Sequence, residues 1–257
     1  MSKIKLISGW SNPGGSTVHH ISLTNLLNEN GYDCTFYGPQ EWHLDKCKSG
    51  LINEVKIVEA SDILITHFSQ IPKVACKKHI LSCHETNLFP LSKIDLADYD
   101  LIQYVSNSQK KWHSVNHASV IIPPIVEKVN WKNPKNKTAG VVGSIDSHKR
   151  VGESIRLALE DGFDKVLLFG EVTELDYFNS MINPYIESSK AVLVGHMDNK
   201  EDMYGRVEAI YHSSIRETYG LVEAECSVAG IPFIGSSNNQ DILSKEDILE
   251  RWEKVLN

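Results

Sequence analysis

The sequence predicts an α/β protein built from two Rossmann-like domains, and three observations lead there. Short runs rich in Val, Ile and Leu recur along the whole chain without strict alternation, the pattern of strands buried on both faces of a parallel sheet. Longer amphipathic stretches separate these runs and supply the crossover helices that parallel strands require. Between Pro123 and Thr138 the rhythm breaks, with three prolines, four lysines and no periodicity. Beyond it a strand, a glycine loop and a helix restart as they began.

In order along the chain, a strand is expected over 3–8 (KIKLIS), followed by the loop Gly9-Trp10-Ser11-Asn12-Pro13-Gly14-Gly15. A helix follows that Ser16 caps and Asn30-Gly31 ends. Strands over 32–37, 62–66 (DILIT), 79–83, 100–105 and 118–122 complete a first domain, 1–125, and residues 126–137 are expected to link it to the second. The second domain, 138–240, opens with a strand over 138–142 and the loop Gly143–His148. A helix over 149–161 then places Val151, Ile155, Ala158 and Leu159 on one face before Gly162. Strands over 164–169, 190–194, 207–211 and 231–234 follow, and a last helix within 241–257 is expected to pack back toward the first domain. Ligands of open α/β sheets bind outside the carboxyl ends of the strands, so both first-strand loops are expected to line a cleft between facing domains.

Composition narrows the function. The chain has 257 residues, 33 acidic against 26 basic, and a net charge of −7, a balance unlike that of a nucleic-acid or anionic-membrane binder. No apolar run reaches the roughly 18–20 residues of a membrane span, and the start, Met1 to Trp10, lacks the apolar core of a signal peptide. Five irregularly spaced cysteines (Cys34, Cys47, Cys76, Cys83, Cys226) suit reduced thiols, so a cytoplasmic location is expected.

The loop ending Gly14-Gly15 satisfies neither familiar phosphate fingerprint. A P-loop needs Lys where Gly15 stands, and a dinucleotide site needs G-x-G-x-x-G with an acidic second-strand end, which here reads Phe36-Tyr37-Gly38. Two glycines before a helix still allow an anionic or sugar ligand close to the backbone. The strongest signal lies at 217–232, ETYGLVEAECSVAGIP. Glu217 and Glu225 stand seven residues apart, Gly220 marks a helix start, and Gly230-Ile231-Pro232 ends the helix. A diphosphate above that start meets the N–H groups near Gly220 and Leu221 and the positive end of the dipole. Glu225, one turn further in, leans back toward a ribose.

This pattern resembles the Glu-x7-Glu motif of the retaining glycosyltransferases of family 4, which have the GT-B fold. Further landmarks stand in the matching order: Gly14-Gly15, His84 in ILSCHET, Ser106 in YVSNSQKKW, Ile121-Ile122-Pro123, Gly143-Ser144 through Lys149, Gly170, and Gly195-His196-Met197. The resemblance covers about 3–235, with its specificity mostly in 138–232. It implies that Glu217 contacts the donor sugar and Glu225 the ribose. Lys149 holds the diphosphate, His196 and Met197 lie along the base, and His84 approaches the sugar from the other domain. Tyr219, Gly220, Leu221, Gly143, Gly14 and Gly15 complete the expected donor site. Where the family carries Arg after the glycine of the second domain's first loop, this chain has Ser144, and Arg150 is the candidate substitute. In its brevity the chain resembles glycosyltransferases encoded by chloroviruses.

The implied activity moves a hexose from a nucleotide diphosphate sugar, GDP-mannose first and UDP-glucose second, to a hydroxyl of a glycan or other acceptor. Anomeric configuration is retained and neither metal nor cofactor is needed. Alternatives are a nucleotide-sugar-binding protein without transfer activity and a sugar-nucleotide epimerase or hydrolase of the same fold. No nucleic-acid partner or integral membrane segment is expected; the oligomeric state is open, a homodimer included.

Several other motifs carry weaker chemistry. Asp98-Tyr99-Asp100 spells a metal-binding D-x-D but precedes a strand. Cys76, His79, Cys83 and His84 are spaced like zinc ligands, yet Cys83 and His84 face opposite ways on a strand. Asn136-Lys137-Thr138 is a formal glycosylation sequon, and Lys128, Lys132, Lys135 and Lys137 with Trp131 read as a solvated linker.

Overall fold

The computed structural model describes residues 3–55, 59–60, 62–67, 75–86, 91, 94–235 and 241–257. The chain divides into two compact units, Met1–Ile125 with Asp241–Asn257, and Val126–Gln240.

In the first unit, β1 (Lys3–Ser8), β2 (Asp33–Gly38), β3 (Ser49–Leu51), β4 (Ile63–His67), β5 (Lys78–Cys83), β6 (Leu101–Tyr104) and β7 (Ser119–Ile121) form one sheet. The strand order is β3-β2-β1-β4-β5-β6-β7, with every pair parallel. Leu6 sits in register with Phe36 on one side and Ile65 on the other, and all three are fully buried. Burial of that kind explains why the strands read as apolar runs rather than alternating ones. Helix α1 (Gly15–Glu29) covers this core with Leu23, Leu26 and Leu27, and α2 (Asn107–His113) starts at Ser106, whose side chain accepts the Gln109 N–H. Ser16 does not cap α1. The Gly14 carbonyl already accepts the Val18 N–H, so the first turn closes at Gly14 and Ser16 lies inside it.

The second unit repeats the scheme with β8 (Thr138–Val142), β9 (Lys165–Phe169), β10 (Ala191–Leu193), β11 (Ala209–His212) and β12 (Phe233–Gly235), in parallel order β10-β9-β8-β11-β12. Helix α3 (Val151–Glu160) buries Val151, Ile155 and Ala158 against the sheet. Two short helices, α4 (Leu175–Tyr177) and α5 (Asn183–Glu187), are joined by a π-helical turn, and α6 (Lys200–Tyr204) and α7 (Leu221–Ala229) follow.

Segment 126–137, expected as a linker, is laid along this unit instead. Val129 is buried in its core, the Trp131 indole donates to the Val207 carbonyl at 3.1 Å, and Asn136 donates to the Arg206 carbonyl at 3.0 Å. Four lysines dominate its composition, but Val129, Trp131 and Asn136 hold it to the unit.

The last helix, α8 (Lys245–Leu256), belongs to the first unit. Ser244 caps it, and Ile248, Trp252, Val255 and Leu256 join the core of Ile4, Leu23 and Leu27. Burying Trp252 is worth about 4–6 kcal/mol of transfer free energy as an upper bound. Lys77 and Lys78 donate to the carbonyls of Leu256 and Val255, placing two cations at the negative end of the helix. Among the described residues, no helix is long and apolar enough to cross a membrane. All five cysteines are free thiols.

Both sheets reverse direction once. The chain runs outward from β1 through β2 to β3 and then returns to β4 on the other side of β1. In the second unit it runs from β8 through β9 to β10 and returns to β11. Each reversal opens a crevice at the carboxyl ends of the two central strands, the place where open α/β sheets bind ligands.

Candidate functional site

At the β8/β11 reversal, the loop after β8 is shaped by glycine and by one aspartate. A β-carbon at Gly170 would collide with the Gly143 carbonyl, so the two strand ends can pass this closely only without a side chain there. Asp146 folds the loop: its carboxylate accepts the Ser144 hydroxyl at 2.6 Å and the Lys149 N–H at 2.8 Å. The loop after β11 is stitched to it, with Ile215 N–H donating to the His148 carbonyl and the His148 ring meeting the Arg216 carbonyl, both at 3.1 Å.

These stitches bring together residues 68 positions apart. Lys149 Nζ donates to Glu217 Oε1 at 2.5 Å, and His212 Nε2 meets the same oxygen at 2.9 Å. Burial opposes ionisation of Glu217, but the His212 hydrogen bond and the Lys149 charge outweigh it and hold the carboxyl at about 2. Glu217 is therefore a permanent carboxylate at neutral pH, able to accept hydrogen bonds and unable to act as an acid.

Three residues on, Gly220 takes up a left-handed conformation (φ 85°) and starts α7 with no side chain to cap it. Tyr219 and Gly220 are buried, and Leu221 is half-buried. Glu225 is only 3% exposed: Lys200 Nζ donates to its Oε1 at 2.7 Å and the Tyr204 hydroxyl to its Oε2 at 2.6 Å, while Lys200 also holds Glu127 at 3.0 Å. Burial pulls the Lys200 ammonium down, yet Glu225 and then Glu127 carry it above its ordinary value. His196 is exposed and paired with Asp198 at 2.8 Å, and Met197 packs on the core that includes Tyr204. Arg150, at a left-handed φ of 49°, is exposed, and its charge is felt by Glu153 and Tyr177.

At the β1/β4 reversal the chemistry is different. Gly14 and Gly15 open α1, and nothing lies within 4 Å of where a Gly15 β-carbon would sit. Behind them stand four histidine rings. His84 lies 4.8 Å from His19, 4.9 Å from His20 and 5.1 Å from His67, centroid to centroid. Ser8 Oγ meets His67 Nδ1 at 2.8 Å, and His67 Nε2 meets Glu85 at 2.7 Å. Burial, followed by the His67 charge, lowers His19 to about 3; burial also holds His20 and His84 well below the usual range.

The structure thus brings Lys149 and Glu217 into contact and encloses Glu225, while Arg150 is exposed. Sequence reasoning missed His212, Lys200 and Tyr204, and it missed His19, His20 and His67. His67 and His212 each end a strand at a reversal, a signal readable once the strand order is known. Asp98 and Asp100 serve the turn into β6, where the His79 ring meets the Asp98 carbonyl and its N–H donates to the Asp100 carboxylate. Among the described residues, no three His, Cys, Asp or Glu side chains gather as a metal site.

No family model matches the chain, and no curated protein matches its sequence. Solved structures do share its fold. TarM aligns with a TM-score of 0.71 at 11% identity, covering 100% of this chain and 91% of its own. HepE of Anabaena, solved with UDP and glucose, gives 0.67 at 11% identity over 91% of this chain and 80% of its own. WaaG, a glycosyltransferase involved in lipopolysaccharide biosynthesis, gives 0.62 at 12% identity over 98% and 90%. The fold is that of the GT-B glycosyltransferases, two parallel-sheet α/β domains.

Proposed function

We propose that this chain is a retaining glycosyltransferase of the family 4 type, moving a hexose from a nucleotide diphosphate sugar to a hydroxyl of a glycan acceptor. One observation carries the reading: at the β8/β11 reversal a lysine, a carboxylate that stays ionised and an uncapped helix start occur together.

Each group has a task that its chemistry fits. A lysine ammonium has three N–H donors, so the bond to Glu217 leaves capacity for diphosphate oxygens. The α7 start adds amide donors and the positive end of the helix dipole. Glu217 accepts hydrogen bonds from sugar hydroxyls. Glu225, held in place by Lys200 and Tyr204, has lone pairs left for a ribose. His196 and Met197 flank the base.

A nucleoside diphosphate is already a good leaving group, so the protein needs to position it and stabilise its growing charge. The acceptor oxygen attacks the anomeric carbon on the face the phosphate leaves. The carbon–phosphate-oxygen bond breaks as the new glycosidic bond forms, and the acceptor proton passes to the departing phosphate. Lys149 and the α7 start supply the positive charge, so no metal is required.

Calorimetric titration with a panel of nucleotide sugars, GDP-mannose and UDP-glucose first, tests donor binding, and NMR of the product's anomeric configuration tests retention. Turnover lost in excess EDTA and restored by Mn²⁺ would overturn the metal-independent route. A second reading, nucleotide-sugar binding without transfer, is favoured by Ser144, whose hydroxyl is tied to Asp146 where the family has a cation. Single-turnover donor cleavage separates the two.

A further inference from the structure

The polar chain that crosses from β6 to the end of β5 has one consistent distribution of protons. Gln103 Nε2 donates to the carbonyls of Tyr104 at 3.1 Å and Ile122 at 2.7 Å, which fixes its amide so that Oε1 faces Ser82. Ser82 Oγ lies 2.7 Å from that oxygen and gives it its single proton. Ser82 can then only accept from its other neighbours, His84 Nε2 at 3.1 Å and His20 Nε2 at 3.5 Å. The fold dictates the arrangement, because Ser82 pairs with Gln103 in the parallel register and His84 follows two residues on, toward the same side.

We infer that Ser82 and Gln103 are positioning residues that lock His84 as its Nε2–H tautomer, so that Nδ1 is presented as a hydrogen-bond acceptor to a hydroxyl-bearing ligand. The surroundings keep the ring neutral. Burial opposes a charge on His84, followed by the His19 and His67 rings, and His67 is tied to Ser8 through Nδ1 at 2.8 Å and to Glu85 through Nε2 at 2.7 Å. The other neighbours among the described residues are His19 and His20 on α1 and the Glu85 carboxylate, which is taken up by the His67 ring at 2.7 Å and by the His84 backbone N–H at 3.1 Å. A neutral ring with a bare Nδ1 aligns a hydroxyl without adding charge. The identity of that hydroxyl, on sugar or acceptor, rests on the proposed transfer reaction; the tautomer does not.

The test uses the full chain labelled with ¹⁵N-histidine. Long-range ¹H–¹⁵N spectra at neutral pH are read for His84, assigned by its disappearance in His84→Gln. The expected pattern is a neutral ring protonated at Nε2. In Ser82→Ala the preference for that tautomer should fall roughly 3–10-fold, the worth of one hydrogen bond, and Ser82→Thr should restore it. A wild-type ring protonated at Nδ1, or a charged one, overturns the inference, and the wild-type spectrum alone decides this if the alanine variant does not fold. With turnover established, kcat of Ser82→Ala should fall by a similar factor while affinity for free nucleoside diphosphate, which lacks the sugar, stays unchanged. A shifted tautomer with unchanged kcat would remove the hydroxyl role. Absence of turnover with every nucleotide sugar would defeat the proposed function and leave the tautomer as found.

Discussion

The carboxyl end of the second sheet gathers full charges, Lys149 on Glu217 and Lys200 between Glu127 and Glu225. The corresponding place in the first sheet gathers four histidine rings, three of them driven toward the neutral form by burial. Both stand at the reversal of a parallel sheet, so topology alone does not set the chemistry. The charged end suits an anion and its sugar, the neutral end suits hydroxyls. Their responses to acid differ as well. His19, His20 and His84 have folded-state values below the ordinary 6.5, so below that pH the unfolded chain takes up protons that the folded one refuses, and stability falls. Glu217 sits at about 2 rather than 4.5, so its contribution is complete above pH 4.5 and is lost only as pH falls from there toward 2.

The largest expected effect follows from that contrast. As pH falls from 6.5 to 5 the first unit should lose stability, because the unfolded chain protonates His19, His20 and His84 while burial holds the folded rings neutral, a loss approaching roughly 1 kcal/mol per pH unit for His19. Hydrogen exchange at pH 7 and pH 5, corrected for intrinsic rates, should show protection lost in β1, β4 and β5 while β8 and β11 hold. Simultaneous loss in both sheets would break the comparison.

Next in size is Lys149→Ala. It should weaken nucleoside diphosphate and nucleotide sugar alike by roughly 10–100-fold and flatten the salt dependence, because the Glu217 carboxylate loses its cation beside the phosphates. Adding Glu217→Gln should recover part of the free nucleoside diphosphate affinity. No recovery would mean that the two residues do not act as a pair.

Glu225→Gln should cost ribonucleotides, bare nucleosides included, about 1–2 kcal/mol of binding and spare 2′,3′-dideoxy nucleotides. It should also destabilise the second unit, since Lys200 would keep only Glu127 as a charged partner. Unchanged affinity for ribonucleotides would remove Glu225 from the site. The smallest effect is expected from Ser144→Arg. Asp146, which now accepts the serine hydroxyl, is placed to capture the guanidinium, so donor affinity should rise by less than about threefold. A tenfold gain would show that the new cation reaches the phosphates.

Much of this was legible before any coordinates. Eleven strand segments named from apolar runs all appear, and among the described residues β3 alone is additional, because Ser49-Gly50-Leu51 carries too little apolar signal. The helix bounded by Gly220 and Gly230 was legible because glycine at both ends is a local property of the chain. The Gly14 carbonyl closes the first turn of α1 ahead of Ser16, and composition cannot show where Val129 and Trp131 of segment 126–137 find a surface.

By itself the sequence determined the two-domain α/β class, the strand and helix order and the helix bounded by Gly220 and Gly230, since periodicity, turn residues and caps act over a few positions. Only the tertiary structure decided that Lys149 meets Glu217 and His212, that Glu225 is enclosed by Lys200 and Tyr204, and that four histidines share one crevice. Most of those meetings join residues tens of positions apart through strand order and loop stitching. Burial and neighbouring charge then set which groups carry a proton, and neither quantity exists until the chain has folded.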